Sequence, residues 1–315
     1  MADFINDIVG RTNLAGNNKL EVLMFSLGLD SRSGRRETYA INVFKVREVM
    51  RVPEITRSPD MPRAVEGMVS MRGMLVPVID LAKYIGLELD FKPSIMIMTE
   101  YNGQSQGLLV EAVDTILRLD WSRMHVPPEM LSSQTGGLVT AVTELSDKRL
   151  VMMMDVEKVL ADTCGTSTDD DFIEKSVHSL DIPNRTVFFA DDSSVARKRI
   201  EKILEAMNVK HISAVNGGKA WEELQQIAAS ADAAGVPVKK LIQVILTDVE
   251  MPEMDGYMLT KNIKSDKRFA GIPVVMHSSL SSESNQQLGK TVGVDEYVPK
   301  SEPQYLAQAL TRLLS

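Results

Sequence analysis

The last two-fifths of the chain holds a set of side chains suited to phosphoryl chemistry: the pair Asp191-Asp192, then Asp248, Ser278 and Lys300. Each follows an apolar run, "TVFFA" (186–190), "LIQVILT" (241–247), "IPVVMH" (272–277) and "DEYVP" (295–299). Carboxylates brought to one rim repel one another and raise each other's pKa. A hard divalent cation removes that penalty, and Mg²⁺ fits best where phosphate is also bound. Lys300 adds a compact positive charge for phosphoryl oxygens, and Ser278 adds a hydroxyl donor. Asp248 would be the nucleophile that forms an acyl phosphate, with positioning and charge neutralisation supplying the catalysis. Taken singly, each group has an ordinary explanation. Asp-Asp ahead of a helix serves as a cap, a strand-terminal Asp or Lys is a solvated turn residue, and Ser278-Ser279 caps the next helix. The joint order, together with "DVEMPEMDGYML" (248–259), is what points to a site.

For these groups to meet, the runs must be neighbouring parallel strands. They are continuously apolar rather than alternating, as strands buried on both faces are. "HISAV" (211–215) is a further one, and helical patterns lie between them. Ile200, Ile203, Leu204 and Met207 recur at helical spacing with charges on the opposite face. Segments 218–230, 257–265 and 303–314 read as helices, and 228–240 is expected to extend the second before turning. The result is a (βα)₅ order with right-handed crossovers. In such a flavodoxin-like α/β sheet the functional crevice lies at the carboxyl ends of the strands, where the chemistry-bearing residues fall.

The first half is β-rich. "LEVLMFSL" (20–27) and "TYAINVF" (38–44) flank the turn-forming "GLDSRSGRRE"; 64–71 and 74–81 flank Arg72-Gly73; 94–100 and 106–113 flank an Asn-Gly turn; 137–145 and 148–156 flank Ser146-Asp147. Short strands joined by tight turns argue for an all-β sandwich or small barrels. Short helices are expected at 44–50, 80–86 and 155–160. No nucleophile–base pair, metal spacing or phosphate loop occurs here, and His125 in "MHVPPEM" reads as a structural or solvated loop residue. The half is therefore a binding module. The domains expected are an N-terminal segment 1–19 in which Phe4, Ile5, Ile8 and Val9 suggest a helix, a β-rich domain 20–160, a polar linker 161–183 and an α/β domain 184–315.

The chain has 315 residues, is 44% hydrophobic and 25% charged, and carries a formal charge of −8. Two cores can be built from that composition. The acidic balance argues against a nucleic-acid partner, which needs clustered Lys and Arg. The lone Cys164 reads as an incidental linker thiol and fits a reducing compartment. The start lacks a basic segment ahead of a long apolar core, and no run approaches the roughly 18 apolar residues needed to insert in a membrane. A cytoplasmic location is expected.

Residues 185–315 resemble the CheY-like receiver domains of two-component signalling through "FFADDSSVARKRIEKIL", "LTDVEMPEMDGYML", "PVVMHSS" and "VDEYVPK". The resemblance implies Asp248 as phosphoacceptor and Mg²⁺ held by Asp191, Asp192, Asp248 and the Glu250 carbonyl. It further implies Ser278 and Lys300 as phosphoryl contacts and Tyr297 as a rotamer switch. Two departures stand out: Lys300 is followed by Ser301-Glu302 where the family usually has Pro, and Glu250 sets an extra acid beside the acceptor. A haloacid-dehalogenase-type phosphatase also uses a strand-end Asp, but Asp248-Val249-Glu250-Met251-Pro252 lacks its second Asp.

Residues 20 to about 160 resemble the CheW-like coupling domain of bacterial chemotaxis through "LMFSLG", "TYAINVFKVREVMR", "VEGMVSMRGMLVPVIDL" and 138–160. That resemblance implies paired five-stranded SH3-like barrels that bind the cytoplasmic tip of chemoreceptors and the regulatory domain of the histidine kinase. Contacts fall to Lys45 to Glu48, Val46 and Glu48 among them, and to Arg72, whose guanidinium at a hairpin turn suits a planar, multiply bonded contact. The order of the two domains is similar to that of CheV-type adaptors. It implies a non-enzymatic cytoplasmic scaffold at membrane-associated receptor arrays, with the kinase as phosphodonor and coupling tuned by Asp248 phosphorylation. The alternative is a phosphate sink that drains phosphoryl groups from the kinase.

Overall fold

A computed structural model of the chain describes residues 19–127 (without 32, 58, 60, 90, 91, 102 and 103), 138–164, 182, 184–279, 283–300 and 303–315. Its contacts divide it into two units. The N-terminal apolar pattern (Phe4 to Val9) and most of the expected linker lie outside the described residues.

The strands of the first unit are β1 (Lys19–Ser26), β2 (Thr38–Asn42), β3 (Val46–Arg51), β4 (Val65–Met71), β5 (Met74–Asp80), β6 (Ile95–Tyr101), β7 (Gln104–Val110), β8 (Ala112–Asp120), β9 (Val139–Glu144) and β10 (Leu150–Met154). They form two five-stranded sheets, in the orders β8-β1-β2-β10-β9 and β3-β6-β7-β5-β4. This is the expected paired five-stranded, CheW-like architecture, with the four expected strand pairs all antiparallel neighbours.

Strand periodicity explains why several of these runs do not alternate. In β1, Leu20, Val22 and Met24 feed the core of the first sheet, while Leu23 and Phe25 feed a core shared by the two sheets. In β6, Met96 and Met98 face the core of the second sheet, and Ile97 joins the shared one with Ile79 and Leu108. Strands with an apolar layer on each face read as continuous runs.

The expected helix at 44–50 is not formed. Asn42 accepts a hydrogen bond from the Phe44 amide and closes a single 3₁₀ turn, Val43–Lys45, after which β3 begins. β3 pairs with β6 through an irregularity between Val46 and Glu48, so cross-strand pairing outweighs helical spacing. The expected 106–113 run is also two strands: the Glu111 amide bonds to the Ser26 carbonyl, ending β7 and starting the unanticipated β8. The other two helices form. Helix α1 (Leu81–Ile85) is capped by Asp80 and ends on Gly86 at φ 82°, and α2 (Val156–Cys164) starts where Asp155 Oδ1 accepts from the Glu157 and Lys158 amides. Helix α2 reaches Cys164, which is therefore helical rather than part of a polar loop. The 28–37 loop is built onto the segment after α1, because Asp30 accepts from the Ser33 and Glu88 amides.

In the second unit β11 (Thr186–Ala190), β12 (Lys210–Ala214), β13 (Val244–Thr247), β14 (Val274–Ser278) and β15 (Glu296–Pro299) alternate with α3 (Ser194–Ala206), α4 (Gly217–Ala233), α5 (Gly256–Ser265), α6 (Glu283–Val292) and α7 (Pro303–Leu314). The sheet is wholly parallel, in the order β12-β11-β13-β14-β15. This is the expected (βα)₅ flavodoxin-like fold. Val187 and Phe189 pack into one helical layer with Ile200, Ile203, Leu204 and Met207; Phe188 and Ala190 pack into the other with Leu224 and Leu259.

Candidate functional site at the ends of the parallel strands

Strand β11 delivers Asp191 to the rim, and the Asp191 Oδ1 accepts from the Ser193 amide at 2.9 Å. The cap of α3 is Ser193, whose side chain accepts from the Ala196 amide. The acidic pair is thus not consumed as a helix cap, and its carboxylates turn toward the rim. Arg197 Nη1 fixes the pair's backbone by donating to both carbonyls, at 2.8 Å to Asp191 and 3.0 Å to Asp192.

Asp248 follows β13, with its amide bonded to the Ala190 carbonyl at 2.9 Å and its Oδ1 accepting from the Val249 amide at 2.7 Å. The loop after it is shaped by close backbone approach. A Cβ on Gly256 would stand 2.0 Å from the Asp248 carbonyl oxygen, and one on Gly217 2.0 Å from that of Met254. Asp255 caps α5 at the Met258 amide, and burial raises its carboxyl above the ordinary range. The Met-Pro-Glu-Met-Asp-Gly loop is thus held by backbone contacts on both sides.

Lys300 is buried and joins these elements. Its Nζ lies 2.7 Å from Asp191 Oδ2 and 2.9 Å from Asp248 Oδ2, and its amide donates to the Ser278 carbonyl at 3.0 Å. One ammonium thereby offsets the repulsion of two carboxylates in a poorly solvated place. Residues 301 and 302, where the sequence departs from the usual Pro, lie outside the described residues. The carbonyl of Lys300 itself accepts from Arg199 Nη1 at 3.2 Å, so a side chain from α3 holds the start of that loop.

Asp191, Asp192 and Asp248 each offer an oxygen, all within 4.8 Å of one another. An all-oxygen set of this charge suits a hard divalent cation such as Mg²⁺. Glu250, beside it, is half-buried.

Ser278 closes β14, fully buried, and is hydrogen-bonded to Tyr297 on β15. Burial, with the charges of Asp248 and Glu250, pushes the Tyr297 phenol up to about 12. Tyr297 is also bonded to Tyr257, on the first turn of α5. Burial first, then the neighbouring Tyr297, raises the Tyr257 phenol above its ordinary value. Beside Ser278, the imidazole of His277 is held well below its usual pKa by burial and by the charges of Lys300 and Arg199.

The structure therefore brings Asp191, Asp192, Asp248, Ser278, Tyr297 and Lys300 to one rim. Sequence reasoning missed Arg197, Arg199 and Tyr257. The last carried a signal, a bulky phenol directly after the Asp-Gly turn; the two arginines carried none, being charges on a helix that reads as solvated on that face.

In the first unit, Val46 lines a largely apolar cavity of about 690 Å³ with Leu23, Val49, Ile95 and Ile116. Glu48 accepts from Arg72 Nη2 at 3.3 Å. Arg72 and Gly73 take φ of 50° and 82°, the left-handed pair of a tight hairpin turn between Met71 and Met74. Of the neighbours, Lys45 Nζ is turned onto the buried Glu157 at 3.0 Å, while the exposed Arg47 pairs with Glu100 at 2.8 Å. His125 sits in a bridge with Val142, a structural position.

The CheW-like domain profile matches residues 21–164, and the response regulator receiver domain profile matches 187–311. Chemotaxis protein CheV1 of Helicobacter pylori is 29% identical over 331 residues, covering 100% of this chain and 99% of that protein. Chemotaxis protein CheV2 of the same organism is 26% identical, covering 99% of this chain and 100% of that one. With both profiles in this order, and relatives that match end to end, the chain belongs to the CheV-type chemotaxis adaptors, a CheW-like coupling domain followed by a receiver domain.

Proposed function

We propose that Asp248 is phosphorylated by the chemotaxis histidine kinase and that the phosphoryl group tunes the adaptor's coupling of receptors to that kinase. The observation that carries this reading is the buried Lys300 ammonium bonded to Asp191 and Asp248 at 2.7 and 2.9 Å beside Ser278. Asp191, Asp192 and Asp248, with the Glu250 carbonyl, would hold Mg²⁺, which supplies charge neutralisation for the phosphoryl oxygens. Lys300 and Ser278 then contact the transferred group, and Tyr297 follows Ser278. The chemistry is limited to the chain's own phosphorylation and dephosphorylation; it is an adaptor, not an enzyme acting on a separate substrate.

The coupling half would take the cytoplasmic tip of a chemoreceptor and the kinase regulatory domain. The cavity lined by Val46 and the exposed Arg72–Glu48 turn support that reading, the first by offering apolar area to a helix and the second by offering a planar cation. The location that follows is the cytoplasm, at receptor arrays. Among the described residues no helix is long and apolar enough to cross a membrane.

Phosphotransfer from the kinase in Mg²⁺, with Asp248→Ala as control, tests the first step. Kinase assays with receptor arrays test the second. Loss of adaptation in Asp248→Ala at unchanged phosphate flux is the expected result. Faster phosphorylation of competing receivers would instead identify a phosphate sink.

A further inference from the structure

The cavity of the first unit opens where two sheet edges meet: β8 ends one five-stranded sheet and β3 ends the other. Leu23, Val113 and Ile116 line it from the first sheet, and Val46, Val49 and Ile95 from the second. A largely apolar hollow of about 690 Å³ is costly to leave to water and marks a place where apolar side chains dock.

The sequence supplies such side chains a short distance upstream of β1. Phe4, Ile5, Ile8 and Val9 recur at the spacing of one helical face. Residues 10–18, "GRTNLAGNN", join that stripe to Lys19 and include two glycines and three asparagines. A flexible tether of nine residues spans about 16 Å on average and about 30 Å at full stretch. Leu23 lies four residues along β1 from Lys19, about 13 Å, so the cavity is within reach. Charge agrees as well. Arg51 is exposed at the lip, and Asp3 and Asp7, one helical turn apart, flank the apolar stripe.

We propose that the occupant of this cavity is the chain's own N-terminal segment, seated through Phe4, Ile5, Ile8 and Val9. A tethered occupant needs little intrinsic affinity, because its effective concentration is about millimolar. The same cavity is the one read above as offering apolar area to a receptor helix. The segment is therefore a built-in competitor for that surface, a consequence that rests on the receptor reading.

The test is cross-linking in the full chain. Cys164, the lone cysteine, is replaced by Ser; Asn6→Cys marks the segment outside its apolar stripe, and Thr115→Cys marks the exposed lip of the cavity. Leu75→Cys, 73% exposed beside the β4–β5 hairpin turn, takes the place of Thr115→Cys as the control for random encounter. Rates with a short bis-maleimide reagent at low protein concentration are normalised to each cysteine's reaction with a monofunctional maleimide. The link within one chain is expected to form about tenfold faster at Thr115 than at Leu75, as for a tethered segment whose seated form outnumbers its free form by that factor. Ile5→Asp together with Ile8→Asp is expected to abolish the difference. Equal rates at the two positions, or a difference that survives the two aspartates, overturn the proposal. A link formed only between two chains also overturns it and assigns the cavity to a second copy. Addition of a receptor cytoplasmic-tip fragment is expected to slow the Thr115 link; an unchanged rate keeps the segment in the cavity and removes the cavity from the receptor reading.

Discussion

Lys300 Nζ lies 2.9 Å from Asp248 Oδ2, both side chains buried, and the same ammonium reaches Asp191 at 2.7 Å. The lysine occupies the electrostatic role that a divalent cation would share. Removing it leaves two carboxylates close together with no compensating charge, a loss of about 3 kcal/mol for a broken buried pair. Lys300→Ala is therefore expected to melt lower in metal-free buffer and to bind Mg²⁺ more tightly than the parent, because the metal no longer competes with an ammonium. Calorimetric titration with Mg²⁺ checks this; an unchanged or weaker affinity would contradict it.

Gly256 is the position at which the acceptor loop tolerates no side chain. A methyl there would stand 2.0 Å from the Asp248 carbonyl oxygen and 3.1 Å from Val249 Cα, backbone on both counts. Gly256→Ala is expected to destabilise the receiver by about 1–3 kcal/mol, as overpacking does, and to slow phosphorylation of Asp248 through displacement of its backbone. Urea melts and phosphotransfer rates measured on one preparation report both effects. A variant with parental stability would show that the loop yields.

The buried His277 gives the receiver an acid limb with a defined sign. Burial first, then the charges of Lys300 on β15's end and Arg199 on α3, depress its folded pKa. In the unfolded chain the imidazole titrates near its ordinary value, about 6.5. The contribution is thus complete above about pH 6.5 and is lost as pH falls below it, toward the folded pKa, at up to about 1.4 kcal/mol per unit. His277→Leu is expected to flatten that slope between pH 7 and 5.5 in urea melts. Parallel slopes for parent and variant would mean the imidazole is not held neutral.

The Arg72–Glu48 pair separates stability from recognition. Arg72's side chain is 74% exposed, so the pair adds little to the fold, under about 1 kcal/mol for a surface bridge. Arg72→Gln is expected to leave the melting temperature within error while weakening capture of a receptor cytoplasmic tip. Pull-down with receptor signalling fragments and a parallel melt check the two halves. A large stability loss with parental binding would assign the guanidinium to the fold.

Much of this was legible in the residue order. Parallel strands buried on both faces read as unbroken apolar runs, and four of the five runs of the α/β half led directly to a group that the structure brings to the rim. The misreading came where two signals conflict. At 44–50 the spacing suits a helix, but β3 finds its partner in β6, some fifty residues downstream, and pairing energy of that range is invisible to a local pattern. The Glu111 break between β7 and β8 was hidden for the same reason, since its amide partner is Ser26.

What the sequence determined by itself was the inventory and the order: the acidic pair, the acceptor loop, the hydroxyl, the lysine and a β-rich partner domain. What only the tertiary structure decided was which groups share charge and hydrogen bonds. Lys300 neutralising Asp191 and Asp248, Arg199 holding the Lys300 carbonyl, and Tyr257 packed against Tyr297 are relationships between residues far apart in the chain. The physical reason is that electrostatics and hydrogen bonding depend on separation in space, which packing of the sheet and its helices sets.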